Sequence, residues 1–161
     1  MSAIDMLEAD HREVEKLFET FEKATSARQQ RAIFNEIADK LAVHAAIEEQ
    51  HFYPAAKTDD TEDLLLEAVE EHLAAKRLIA DLLRLPANEE SFAAKVTVLK
   101  EQIEHHVEEE EGELFPQVRD LLDDETLDAL EQEMAATKEE LLAKGDPRDA
   151  VLGQTGEAAQ I

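Results

Sequence analysis

The sequence predicts an all-α fold, an up-down-up-down four-helix bundle with an additional C-terminal helix. Glycine and proline number only four each in 161 residues, and the chain is rich in Ala, Leu, Glu and Lys, a composition suited to helices. Apolar positions recur at steps of three and four, with Ile4, Leu7, His11, Val14, Phe18 and Phe21 on one stripe. The same ladder returns 61 positions later as Leu65, Ala68, His72, Ala75, Ile79 and Leu82, so the chain reads as a duplicated helical hairpin.

The first helix is expected over about residues 3–24, ending at Thr25-Ser26. The second runs from near Ala27 to about Lys57, with Pro54 disturbing its last turn. Asp59, Asp60 and Thr61 offer capping side chains for the third, which continues to Leu85 before Pro86. The fourth opens at Asn88 to Ser91 and reaches about Leu122, with an irregularity expected at Gly112 and Pro116. Short connections make these four neighbours antiparallel, which assigns residues 1–122 to the bundle. Asp123-Asp124 caps a fifth helix whose Leu127, Leu130, Met134 and Leu141 form a narrower stripe, so residues 123–145 are expected on or beside the bundle. Gly145-Asp146-Pro147 ends it, and residues 146–161 are expected as a flexible tail.

The net charge of −24 argues against nucleic acid and anionic membrane surfaces as partners, since both would be repelled. No run approaches the roughly 20 apolar residues of a membrane span. The N-terminus lacks the basic start of a secretory signal, so a cytoplasmic location is expected. With no cysteine, disulfides and thiolate ligation are excluded, and a metal would fall to histidine and carboxylate.

Two pairs carry that chemistry. His44-x-x-x-Glu48 and His106-x-x-x-Glu110 lie 62 positions apart, each followed by a proline six residues after its glutamate. Positions i and i+4 share a helix face, so each pair presents an imidazole and a carboxylate in one direction. His11 and His72 occupy rungs of the apolar ladders where a hydrophobic residue is expected. Two buried carboxylates would cost several kcal/mol each without compensation, and nearby cations supply it. Four imidazoles with two carboxylates suit a pair of octahedral ions better than one tetrahedral zinc, and favour iron or manganese over zinc held by thiolates. The Glu-x-x-His signature of ferritin-like bundles is met by Glu48 and His51 but fails in the second copy, where Gln102 precedes His105. His51 is a candidate partner of a ligand, His105 a structural or partly exposed residue, and Tyr53 and Phe115 packing residues at the bundle end.

The ordered set His11, His44, Glu48, His72, His106 and Glu110, within blocks such as Glu48-Glu49-Gln50-His51-Phe52-Tyr53-Pro54, resembles the hemerythrin-like, HHE cation-binding family across about residues 1–122. The resemblance implies a hemerythrin-like bundle holding two non-haem iron ions (Fe2+/Fe3+), bridged by the two glutamates and an oxo or hydroxo species. The family's oxygen carriers use a fifth histidine one turn from the third-helix histidine, where this chain has Ala68 and Lys76. Two octahedral positions would therefore stay open rather than one.

That vacancy directs the functional expectation toward binding or sensing of dioxygen, nitric oxide or peroxide. An oxidoreductase consuming peroxide or nitric oxide, and iron buffering or storage, are the alternatives. The apolar fifth helix also allows a partner, or a second copy in a homodimer, to dock.

Overall fold

The computed structural model describes residues 1–161. It is entirely helical, built from α1 (Ala3–Lys23), α2 (Ala27–Ile47), a π-turn (Glu48–Phe52) running into α3 (Tyr53–Ala56), then α4 (Glu62–Arg84). Next come α5 (Glu90–Glu109), a second π-turn (Glu110–Leu114) running into α6 (Phe115–Leu121), then α7 (Asp124–Ala143) and α8 (Arg148–Val151). Three long units flank or follow one another as expected, and the α2–α3 and α5–α6 runs each act as one long helix. No helix is long and apolar enough to cross a membrane.

Helix starts follow the local chemistry at three places. Ser2 and Asp5 form a reciprocal capping box on α1, Ser26 accepts from the Gln29 N–H, and Asp123 accepts from the Thr126 N–H. The start of α4 departs from expectation. Thr61 stands at the cap position but turns its hydroxyl back to the Ala56 carbonyl at 2.7 Å, fastening the α3–α4 connection instead.

Both irregularities expected near prolines are π-turns, and the proline explains them. Pro54 has no N–H for the Gln50 carbonyl, and its ring would collide with that carbonyl in a regular α-helix. A wider turn avoids the collision, and the Tyr53 N–H bonds back five residues to Glu48. Pro116 repeats the device, with the Phe115 N–H bonded to the Glu110 carbonyl. Each π-turn therefore begins at one of the two paired glutamates.

The core is divided by the histidine layer. One cluster packs Ile4, Leu7, Ile47, Phe52, Tyr53 and Phe115 with Leu127, Leu130 and Met134, which is how α7 attaches to the bundle. The other, toward the opposite end, packs Phe18, Phe34, Ile37, Ile79, Phe92 and Leu99.

Residues 146–161, expected as a flexible tail, are instead tied to the bundle. Gly145 takes φ +123°, a conformation glycine supplies without steric cost, and turns the chain back from α7. The Asp39 carboxylate accepts from the Arg148 backbone N–H at 2.9 Å and its guanidinium at 2.8 Å. Val151 is fully buried in the second cluster, worth about 1.5–3 kcal/mol of apolar burial. Arg77 then holds the Thr155 carbonyl at 2.9 Å. The polar, glycine-containing composition of this segment conceals a buried apolar anchor, its ion pair, and Ala158, Ala159 and Ile161 packed on the first cluster.

Candidate metal centre

His11 projects from α1, His44 from α2, His72 from α4 and His106 from α5, while Glu48 and Glu110 open the π-turns. All six are buried. The structure brings them together with every imidazole Nε2 turned inward. Glu48 Oε1 lies 3.0 Å from His44 Nε2 and 3.3 Å from His72 Nε2. Glu110 Oε1 lies 3.1 Å from His106 Nε2 and 3.3 Å from His11 Nε2. Each glutamate thus spans one histidine from each half of the chain.

His11 Nε2, His44 Nε2, both oxygens of Glu48 and Glu110 Oε1 are buried without a hydrogen-bond partner. Buried polar atoms are almost always satisfied, and orphans in this number, all lone-pair donors, call for a cation. Donor groups lie within 4.8 Å of one another in two sets, His11, His44 and Glu110, and Glu48, His72 and His106. Imidazole nitrogen and carboxylate oxygen are the donor set that suits iron or manganese, so the residues present fit a pair of such ions.

Outside this layer lies a second one that the sequence reading did not assign. Each Nδ1 meets a carboxylate: His11 with Glu111 at 2.8 Å, His44 with Asp10 at 3.2 Å, His72 with Glu49 at 2.8 Å, and His106 with Glu71 at 2.8 Å. Such a partner fixes the ring orientation and the tautomer, leaving Nε2 free for a metal. The four obey the internal repeat. Asp10 and Glu71 precede a histidine, Glu49 and Glu111 follow a glutamate, and each reaches across to an imidazole on another helix. That adjacency was the available signal.

A basic side chain backs each outer carboxylate in turn. Lys138 of α7 lies 2.7 Å from Asp10, Lys76 2.9 Å from Glu49, Arg12 2.6 Å from Glu111, and His105 3.3 Å from Glu71. Burial alone would raise Asp10, but the bond to His44 and the charge of Lys138 outweigh it and bring its pKa to about 2. For His44 burial pulls downward, and the charge of Glu48 with the hydrogen bond to Asp10 reverses this, raising it to about 10. Burial likewise works against His106, yet Glu110 and Glu71 push it well above the ordinary imidazole value.

Tyr53 corrects the expectation of a packing residue. Its hydroxyl donates to Glu110 Oε2 at 2.9 Å and lies 3.2 Å from His72 Nε2 and 3.4 Å from His106 Nε2. Burial and the Glu110 and Glu48 charges hold its pKa well above 10, which keeps the phenol protonated in this arrangement. Its repeat mate Phe115 stacks on His11 at 6.0 Å with the planes 2° apart, so packing does describe that residue. His51 turns away from the centre, bonding Thr137 Oγ1 of α7 at 2.7 Å. Lys76, at a position where a fifth histidine would stand, holds Glu49 instead.

The fold and this donor set together define a helical-bundle protein of cation-binding type. The family model for the hemerythrin HHE cation binding domain matches residues 2–118, and the chain belongs to that family. A hemerythrin HHE cation binding domain-containing protein from Mycobacterium kansasii has a similar solved structure, with a TM-score of 0.79 at 25% identity over 95% of this chain and 98% of that one. A protein from Nostoc sp. named DNA nickase is 26% identical over 141 residues, which is 88% of this chain. The chain spans only 40% of that relative's length.

Proposed function

We propose that the protein holds two non-haem iron ions through His11, His44, Glu48, His72, His106 and Glu110, and binds or senses dioxygen, nitric oxide or peroxide beside them. The observation that carries this reading is the convergence of orphaned, buried Nε2 and carboxylate donors next to an apolar cavity of about 40 Å³. That volume exceeds what a single water needs, so a molecule of two or a few heavy atoms fits. Iron, when bound, would supply reversible one-electron chemistry toward such a ligand.

The chain's own residues set the conditions. Glu48 and Glu110 bring two negative charges into a buried site, offsetting half the charge of a dication pair. Asp10, Glu49, Glu71 and Glu111 orient the imidazoles. Tyr53 Oη holds a proton within reach of Glu110 and of the His72–His106 side, where a small ligand can accept a hydrogen bond. The cavity's Val14, Leu41, Ile79 and Val107 exclude bulk water.

Tyr53 is also what favours a second reading, reduction of peroxide or nitric oxide with electrons from an external reductant, because both reductions take up protons. The activity named for the Nostoc protein stays outside the proposal, since a net charge of −24 opposes a phosphate backbone.

Elemental analysis of protein purified without added metal should give close to two irons per chain. Exposure of that sample to dioxygen, peroxide and nitric oxide should change its visible absorption. An iron-free protein, or an unchanged spectrum with all three, defeats the reading. Stoichiometric product release would separate turnover from binding.

A further inference from the structure

The cavity beside the histidines borders two seams of the bundle, related by the internal repeat and treated differently. On the α2–α4 side its wall includes Leu41, Ala75 and Val151, the last supplied by α8. Val151 is fully buried, and α8 is held across α2 by the Arg148–Asp39 pair. That seam is covered by α8.

The α1–α5 seam has no such cover. A surface cleft of about 160 Å³ lies there, between Val14 and Phe18 of α1 and Ile103 and Val107 of α5. His11, Val14, Ile103 and Val107 line both this cleft and the inner cavity, so only side chains separate the two. Ile103 stands 62 positions after Leu41, on the matching rung of the second half, yet Leu41 is buried and Ile103 only partly so. The charged groups facing the cleft are Glu15, Glu19, Lys100 and Glu104, and Lys100 is occupied by Glu22 at 2.6 Å. The rim is therefore net acidic.

We infer that the α1–α5 cleft is the doorway through which small uncharged solutes reach the histidine cavity, with Ile103 as its size filter and α8 covering the opposite seam. The inference deepens the proposed function by naming the route and ligand class, small neutral molecules rather than anions. Anions are turned back by the carboxylates at the rim and by the overall charge. A branched side chain moving between rotamers opens such a barrier transiently.

Xenon tests the route without relying on a metal, because it enters small dry cavities. Its exchange is followed by 129Xe magnetic resonance on the full chain as purified, with metal content measured on the same sample. Ile103→Ala should speed exchange and Ile103→Phe should slow it, each by about tenfold, a barrier change of about 1.4 kcal/mol. Val151→Ala, which keeps α8 tied over that seam by the Arg148–Asp39 pair, should leave exchange within about twofold, under 0.5 kcal/mol of barrier. Opposite responses to a smaller and a larger residue cannot arise from general loosening. Acceleration by Val151→Ala equal to that by Ile103→Ala moves the route to the other seam and overturns the inference, as do unchanged rates in both Ile103 variants. Failure of xenon to enter the unmutated cavity overturns it too. In iron-loaded samples nitric oxide association should follow the same order. A chain that binds no iron but keeps the xenon pattern would sink the functional reading and leave the doorway standing.

Discussion

The two halves of the bundle share a donor scaffold and differ in what surrounds it. The α1–α2 half supplies His11, His44 and Glu48, and the α4–α5 half supplies His72, His106 and Glu110, each histidine with its outer carboxylate. Beyond that layer the correspondence ends. Asp10 is backed by Lys138 from α7, whereas its mate Glu71 lies in an open cluster with Glu67, His105 and Glu109. Tyr53 brings a hydroxyl toward His72 and His106, whereas Phe115 brings only a ring face to His11. The lesson is one of constraint: the atoms that must converge on a cation pair kept the repeat, and their surroundings diverged. The two ion positions of the proposed centre are therefore inequivalent.

The harshest way to break the shared scaffold is Glu110→Ala. It removes a carboxylate that spans His11 and His106, and the expected outcome is a fall from two irons per chain to below one by elemental analysis. Iron retained at two per chain would show that Glu110 is not a ligand. Outer carboxylates come next. Glu71→Gln and Asp10→Asn should each weaken metal affinity by about 10–100-fold in competition with a chelator, the usual effect of losing a histidine's orienting partner. The halves should then separate in another readout. Asp10→Asn also releases Lys138, so it should expose α7 to faster amide exchange, while Glu71→Gln should leave α7 unchanged.

The inner layer was legible in the sequence because it rests on regular α-helical spacing, with steps of three and four within helices and a repeat between them. Tyr53 was not legible, and the reason is geometric. An α-helix turns about 100° per residue, placing Tyr53 about 140° around from Glu48 and away from the centre. The π-turn adds a residue and brings position i+5 back toward the glutamate's face. Pro54 was read as a disturbance, and its position was correct, but its effect on the face of the following residue requires the backbone. The carboxylate ring was concealed differently. Asp10, Glu49, Glu71 and Glu111 sit among forty acids, and adjacency to a ligand, their one local signal, does not tell which imidazole on another helix each reaches. The anchoring of residues 146–161 rests on contacts such as those of Val151, Arg148 and Thr155, all far from their partners in sequence.

A milder variant tests the inequivalence itself. Tyr53→Phe makes the halves alike at this rung by deleting the hydroxyl bond to Glu110. The loss should cost about 1–3 kcal/mol in urea unfolding of protein stripped of metal, because Glu110 Oε2 loses its donor while staying buried. Phe115→Tyr, which makes the halves alike the other way, should not rescue it, since that ring lies flat against His11. Equal stability of Tyr53→Phe and the unmutated chain would mean that Glu110 finds another donor.

The smallest expected effect concerns α7, the helix that covers only the first half. Asp123 accepts from the Thr126 N–H at 2.9 Å, and hydrogen bonds to Thr126 lower its pKa below 3.8. A lowered carboxyl pKa in the folded state means that the ionised form is the one folding favours. Its contribution is thus complete above the ordinary value of 3.8 and fades as pH falls through the lower, folded-state value. Asp123→Ala should accordingly lower Tm slightly at neutral pH, with the difference from the unmutated chain shrinking in strong acid. Because α7 reaches the centre through Lys138 and Asp10, metal release to a chelator at neutral pH should quicken modestly in the same variant. An unchanged release rate beside a lowered Tm would show that the first turn of α7 frays without loosening the Lys138 end, confining the coupling between cover and centre to the helix's later turns.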